Sequence, residues 1–291
     1  AAFWERSGGK KDGTTALVKF PLRMLSIQQL DRLASVIVHA EKIRKENEET
    51  YQGESFSLGF YVGKSDDFPN SLAKLRESLY NNNELIDPAP ESIILTGCPL
   101  CGKPSDAKVR LKDDLDGRRV LHQCDVCKEI FFIYTSDVEI FHRRPTVIVS
   151  TVDKWAAISL QSKVRNLLGG SGSDCPHGHG FISSGDVCED GSREIKCEEK
   201  GKNAHNSDGP ILSIQDEMHL LREGFGVISA HFEGAIENLV KATSKRGLQH
   251  VAMSATLNGT RKQIQELYAK DCVIIPGRCP NGPGSEGDLF Y

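Results

Sequence analysis

The sequence predicts an α/β protein built on a parallel sheet with helices on both faces, interrupted by two Cys-rich insertions. Three observations carry this expectation. Short apolar runs alternate with stretches of helical periodicity along most of the 291 residues. One such run, residues 211–215, ends abruptly on the adjacent carboxylates Asp216 and Glu217, and ligands in open α/β sheets bind at the carboxyl ends of strands. Two polar stretches between the regular segments carry cysteines at metal-ligand spacing.

In order, residues 1–6 read as the end of a helix and residues 8–13 as a loop before an apolar strand at 15–20. Ser26 opens a helix, with Gln29 three residues on in a capping-box pattern. Its apolar face is Ile27, Leu30, Leu33, Ile37 and Val38, up to the charged run at 41–49. A strand at 57–62, a turn-rich segment at 63–70, a short helix at 71–80 and a loop at 81–90 follow. Residues 146–150 form a buried type of strand, and 152–168 a helix. Beyond the polar segment 169–209 come the strand at 211–215, a helix at 226–242, a strand at 250–254, a helix at 260–270 and a last strand at 272–275, with Cys272 in the core. The expected organisation is a lobe in three pieces, 1–92, 134–168 and 210–275, interrupted by insertions at 93–133 and 169–209 and followed by a linker at 276–291.

Cys98-Pro-Leu-Cys101 and, 22 residues later, Cys124-Asp-Val-Cys127 have the spacing of a four-cysteine zinc ribbon. Two knuckles at that separation argue against a redox role for either pair alone. In the second insertion, Cys175, His179, Cys188 and Cys197 are the chosen ligands for another Zn²⁺, with His177 the competing imidazole. Four such ligands would order a stretch otherwise too polar and irregular for a core. Scattered free thiols in a loop are the alternative.

The composition narrows the class. A net charge of −4 argues against a protein that coats nucleic acid by bulk charge, while leaving room for a local phosphate-binding groove. No apolar run approaches the roughly 18 residues of a membrane span, and the amino terminus has no secretion pattern. Nine cysteines in a chain without a secretory signal read as reduced thiols and metal ligands, so a cytoplasmic location is expected.

Four stretches, each at the end of an expected strand, resemble motifs of superfamily 2 helicases. Residues Pro21-Leu22-Arg23-Met24-Leu25-Ser26-Ile27-Gln28 resemble motif Ia, with Leu22 where a Thr is usual. Val149 to Trp155 lies where the next nucleic-acid motif falls. Asp216-Glu217-Met218-His219 resembles the DExH form of the Walker B motif, and Ser254-Ala255-Thr256 the Ser-Ala-Thr motif. The resemblance implies a RecA-like lobe that uses ATP and Mg²⁺. Asp216 would then hold Mg²⁺ and Glu217 serve as catalytic base, while His219, Ser254 and Thr256 couple hydrolysis to strand binding. It also implies Arg23, Gln28, Thr151 and Asp153 as nucleic-acid contacts. An Asp-Glu pair after a strand can equally be a helix N-terminus enriched in acids. Gly8-Gly9-Lys10 lacks the spacing of a phosphate loop. The expectation is therefore a fragment that begins just past that loop and stops before a second RecA-like lobe.

Residues 15–32, 58–70, the Cys98/Cys101 knuckle, Cys175-Pro with His179-Gly-Phe, 213–226 and 253–256 together resemble the DrmA family of DISARM anti-phage helicases. That resemblance implies DNA as a partner, together with other defence-system proteins including a methyltransferase. A zinc-stabilised nucleic-acid-binding module without ATPase activity, or an RNA helicase, are the alternatives.

Overall fold

A computed structural model describes residues 1–20, 27–62, 72–77, 79–81, 84–85, 94–95, 97–102, 107–156, 162–189, 196–197, 202–244, 246–254 and 259–274. The chain opens with α1 (Ala2–Ser7), β1 (Ala16–Phe20), α2 (Ile27–Glu46) and β2 (Leu58–Tyr61). Next come α3 (Leu72–Glu77), the short pair β3 (Tyr80–Asn81) and β4 (Glu84–Leu85), and then β5 (Val109–Asp114), β6 (Arg119–Cys124) and β7 (Ile130–Phe131). The chain continues through β8 (Ile133–Tyr134), α4 (Asp137–Arg143), β9 (Val147–Thr151) and α5 (Val152–Ala156). A 3-10 turn at Ser162–Leu167 leads into β10 (Gly170–Asp174), β11 (Phe181–Ser183), β12 (Cys188–Glu189), β13 (Lys196–Cys197) and β14 (Lys202–Ser207). β15 (Leu212–Gln215), a 3-10 turn at Met218–Leu220, α6 (Glu223–Thr243), β16 (Gln249–Ala252) and α7 (Thr260–Tyr268) complete the described elements.

Six strands form one sheet in the order β16-β15-β1-β9-β2-β8, and every pairing is parallel. Consecutive residues of a strand face opposite sides, so both sides must be covered. Val18, Phe60 and Val149 pack with Leu30, Ala34 and Val38 of α2. Their neighbours Leu17, Tyr61 and Ile148 pack on the other side with Trp155 of α5 and with Ile236 and Val240 of α6. The helix-covered parallel sheet is therefore the one expected, with β1 and β15 in its interior.

The two insertions have their own small sheets. β5, β6 and β7 form an antiparallel sheet, and its Ala107, Val109, Cys124 and Phe131 are continuous with the core beneath α2. β10, β11 and β14 form another, beside the two-residue ladder β12–β13. The second insertion is pinned to the lobe through Asp12, which accepts from Arg144 at 2.9 Å and lies 3.2 Å from His205 Nε2. Arg144 also stacks over Phe181 at 3.8 Å. Gly180 lies against α4, where a Cβ would meet the His142 carbonyl at 2.2 Å and φ is +112°, so only glycine fits. α4 begins with a capping box between Ser136 and the buried Glu139, whose other carboxylate oxygen accepts from the Val120 amide at 2.7 Å.

Three expectations are corrected. The helix expected at 152–168 does not extend throughout: Val152–Ala156 is α-helical, but Ser162–Leu167 is a 3-10 turn. The loop expected at 81–90 begins with the β3–β4 pair, where Tyr80 and Asn81 face Leu85 and Glu84. The strand expected at 272–275 is absent over the described residues 271–274. Cys272 there is only partly covered and Val273 is 87% exposed, because no neighbouring strand pairs with this segment among the described residues. Among the described residues no helix is long and apolar enough to cross a membrane.

Candidate functional site

β15 runs between β1 and β16 and delivers Asp216 and Glu217 at its carboxyl end. The turn there is built by hydrogen bonds to both neighbouring strands. Asp216 N–H donates to the Lys19 carbonyl at 2.9 Å, and the Gln215 side-chain amide donates to the carbonyls of Lys19 and Asp216 at 3.2 and 2.9 Å. On the other side Met253 N–H donates to Gln215 O at 2.8 Å, and Met218 N–H to Met253 O at 2.9 Å. Glu217 takes a left-handed φ of 47°; its side chain is exposed, and its amide donates to Asp216 Oδ1 at 2.8 Å. His219 Nδ1 lies 3.1 Å from Glu217 Oε2, without hydrogen-bond geometry. Ser254, half-buried, leaves the end of β16 next to Met253. Two partly open carboxylates, hard oxygen donors of the kind that bind divalent cations such as Mg²⁺, thus share one strand tip with an imidazole.

Other candidate residues lie elsewhere or beyond the described set. Thr151 ends β9 at 1% exposure, and its hydroxyl has no hydrogen-bond partner among the described residues. Asp153, in the first turn of α5, is exposed. Trp155 is buried at 1% and donates to Ser150 Oγ, so it packs under the sheet. Arg23 and Thr256, and the side chain of Gln28, lie outside the described residues. An open groove between α6 and α7, lined by Arg222, Val227, His231, Lys262, Gln263 and Glu266, does not include the acid pair.

Beneath the strand tip lies a feature that sequence reasoning missed. Lys19 of β1, at 0% exposure, gives its ammonium to both carboxylate oxygens of Glu233 on α6. The one available signal was a lysine inside an otherwise apolar strand. Its partner, 214 residues away, carried none.

The cysteine clusters have the geometry of metal centres. Zn–S bonds of about 2.3 Å at tetrahedral angles place sulfurs about 3.8 Å apart. In the first cluster Cys98 and Cys127 sulfurs are 3.7 Å apart, and those of Cys101 and Cys124 3.8 Å. In the second, Cys175 and Cys197 sulfurs are 3.8 Å apart, and His179 Nδ1 lies 3.2–3.4 Å from the three sulfurs. All four donor atoms of each set fall within 4.8 Å of one another, so both sets can hold a metal ion. His177 is exposed and stacks on the His179 ring instead of joining the set. Burial disfavours the thiolate of Cys124, but hydrogen bonds from the amides of Cys127 and Val126 and from the neighbouring Cys127 and Cys98 thiols together bring its pKa down to about 7. Cys175 is likewise lowered against burial, by the amides of His177 and His179. Burial, reinforced by Arg118, brings His179 down to about 4, so its imidazole is neutral and free to ligate at pH 7.

These features define a class: a parallel α/β sheet with acids at the tip of an interior strand and two cysteine-rich insertions whose donor sets could each hold a metal ion. No family model matches the chain. The chain is 29% identical over 285 residues to the DISARM protein DrmA of Bacillus paralicheniformis, an alignment covering 92% of this chain and 24% of that protein. A crystal structure of the DUF1998 helicase MrfA bound to DNA aligns at a TM-score of 0.37 and 9% identity, over 93% of this chain and 25% of that one. The chain thus spans about a quarter of the length of either relative.

Proposed function

We propose that this chain is part of the first RecA-like lobe of a superfamily 2 ATP-dependent DNA helicase or translocase, working in a DISARM-type defence against phage. The observation that carries the reading is the Asp216–Glu217 turn, hydrogen-bonded to Lys19 on one side and to Met253 beside Ser254 on the other. Similarity to a DISARM protein supports the biological setting. Asp216 is the residue to hold Mg²⁺ on the phosphates of ATP, and the ion supplies charge neutralisation there. Glu217 acts on the attacking water, and His219, Ser254 and Thr256 report strand binding to the turn. Arg23, Gln28, Thr151 and Asp153 follow the DNA across the strand ends. Two Zn²⁺ ions brace the insertions through Cys98, Cys101, Cys124 and Cys127, and through Cys175, His179, Cys188 and Cys197. Other defence-system proteins are the expected partners, in the cytoplasm.

The test uses the full-length parent protein. Glu217→Gln is expected to lower DNA-stimulated ATP hydrolysis at least about 100-fold, the lower range for loss of a general base, while DNA affinity stays within a few-fold of wild type. Turnover retained in Glu217→Gln overturns the catalytic assignment. Stimulation by RNA but not DNA overturns the choice of nucleic acid.

A further inference from the structure

The turn between β5 and β6 belongs to the first Cys-rich insertion in sequence, yet it rests on the cluster of the second. Arg118, 9% exposed and at a φ of 49°, forms that turn. Its two terminal nitrogens lie 3.5 Å from Cys188 Sγ and 3.5 Å from Cys197 Sγ. The backbone of Asp116, in the same turn, is hydrogen-bonded to the His179 ring. One turn therefore touches three of the four ligands in a set up to 79 residues further along the chain.

The turn is built to hold this position. Gly117 N–H donates to Asp114 Oδ1 at 2.9 Å, Arg119 pairs with Asp114 Oδ2 at 2.6 Å, and Arg143 donates to the Gly117 carbonyl at 2.5 Å. A Cβ at Gly117 would come within 2.3 Å of Asp114 Oδ2, so a larger residue there would push the Asp114 carboxylate aside. The left-handed backbone at Arg118, rare for a residue with a Cβ, sets its guanidinium against the sulfurs.

We infer that Arg118 is an outer-sphere positioning residue of the second metal centre, which makes the hairpin of the first insertion a structural part of the second. The inference rests on the reading of Cys175, His179, Cys188 and Cys197 as zinc ligands. Three thiolates and a neutral imidazole around Zn²⁺ leave one net negative charge in a buried place. A guanidinium donating to two of the sulfurs offsets that charge and fixes their direction. Cys188 and Cys197 sit opposite each other on a two-residue ladder, too short to orient them unaided. Holding those sulfurs slows the first step of metal loss, the swing of a thiolate off the ion.

The experiment is zinc release from zinc-loaded protein into an excess of a chromogenic chelator, comparing wild type with Arg118→Met and Arg118→Lys. Phases are assigned from Co²⁺-substituted protein, because four-thiolate and three-thiolate–imidazole centres absorb differently. The three-thiolate phase is expected to accelerate about tenfold or more in Arg118→Met, the usual scale for loss of an outer-shell partner. The four-thiolate phase stays unchanged, and Arg118→Lys recovers only part of the loss. Unchanged release, or equal acceleration of both phases, overturns the inference. If Arg118→Met does not fold, Arg118→Gln decides by the same readout. Wild-type protein that binds a single zinc, lost in Cys98→Ser, overturns the metal-centre reading instead.

Discussion

The amide of Met218 donates to the carbonyl of Met253 at 2.9 Å, tying the turn that carries Asp216 and Glu217 to the end of β16. This bond closes the turn one residue after Glu217, whose backbone is left-handed. A left-handed conformation costs a residue with a Cβ about 1–2 kcal/mol, and Asn tolerates it best after Gly. Glu217→Asn is therefore expected to keep or raise the unfolding free energy, by up to about 1 kcal/mol, while the parent protein loses hydrolysis. Urea unfolding checks the first half and a phosphate-release assay the second. A variant less stable than wild type would show that the Glu217 side chain serves the fold, not the chemistry.

The ion pair between Lys19 and Glu233 is buried at both ends, with side-chain exposures of 1% and 7%. Removing one partner leaves an uncompensated charge inside the protein, at a cost of about 3–5 kcal/mol. Replacing both with apolar residues of similar volume is near neutral. Lys19→Met or Glu233→Leu alone should thus destabilise severely, whereas the two together should restore most of the loss. Denaturant midpoints of the two singles and the double form the cycle, and additive effects would rule out the coupling.

How much of this was legible in the sequence depends on what each residue faces. The runs at 16–20, 147–151 and 212–215 showed themselves because strands buried on both sides carry side chains such as Leu17 and Val18 to opposite cores. The acid pair was legible because charge stops such a run abruptly. The sheet of the second insertion was not, since β10 is Gly-Ser-Gly-Ser-Asp and its Gly172 leaves room for the Phe181 ring, which a Cβ would meet at 2.2 Å. Spacing pointed to the cysteine sets, and the fold brings Cys175, His179, Cys188 and Cys197 together as donors that could hold an ion. Arg118 carried no local signal, because its contacts join segments whose distance apart is set only by the folded lobe.

The two candidate metal sites should differ in how far their loss is felt. Cys98, Cys124, Val109 and Phe131 share a core with Leu30 and Val38 of α2. The second set packs locally, with Ile182 and Cys197 around Cys175 and Cys188. Cys124→Ser should remove one zinc per chain by elemental analysis and raise hydrogen exchange along α2. Cys188→Ser should remove the other zinc, with faster exchange confined to β10–β14 and the β5–β6 turn. Exchange that rises along α2 in both variants would mean that the sites do not have separate cores.

Glu237 on α6 joins two ammonium groups, Lys241 at 2.9 Å and Lys270 at 2.8 Å, and lies 3.3 Å from the His250 ring. Burial alone would raise its pKa, but the hydrogen bonds from Lys270 and Lys241 win and hold it at about 2. Its unfolded value is near 4.5, so folding favours the carboxylate. The stability it contributes is complete above pH 4.5 and is lost as pH falls toward 2. His142 acts in the same direction over a higher window, since burial brings it from 6.5 to about 3 and its contribution fades as pH drops below 6.5. Glu237→Gln should therefore destabilise the protein by roughly 1–3 kcal/mol at pH 7, the shift discounted for the partly exposed lysines, with the gap to wild type narrowing only below pH 4.5. His142→Phe should instead flatten the stability profile between pH 6.5 and pH 4. Thermal unfolding of the three proteins across pH 3–8 separates the two contributions. A wild-type and Glu237→Gln gap that already closes at pH 6 would place the titrating group elsewhere than at Glu237.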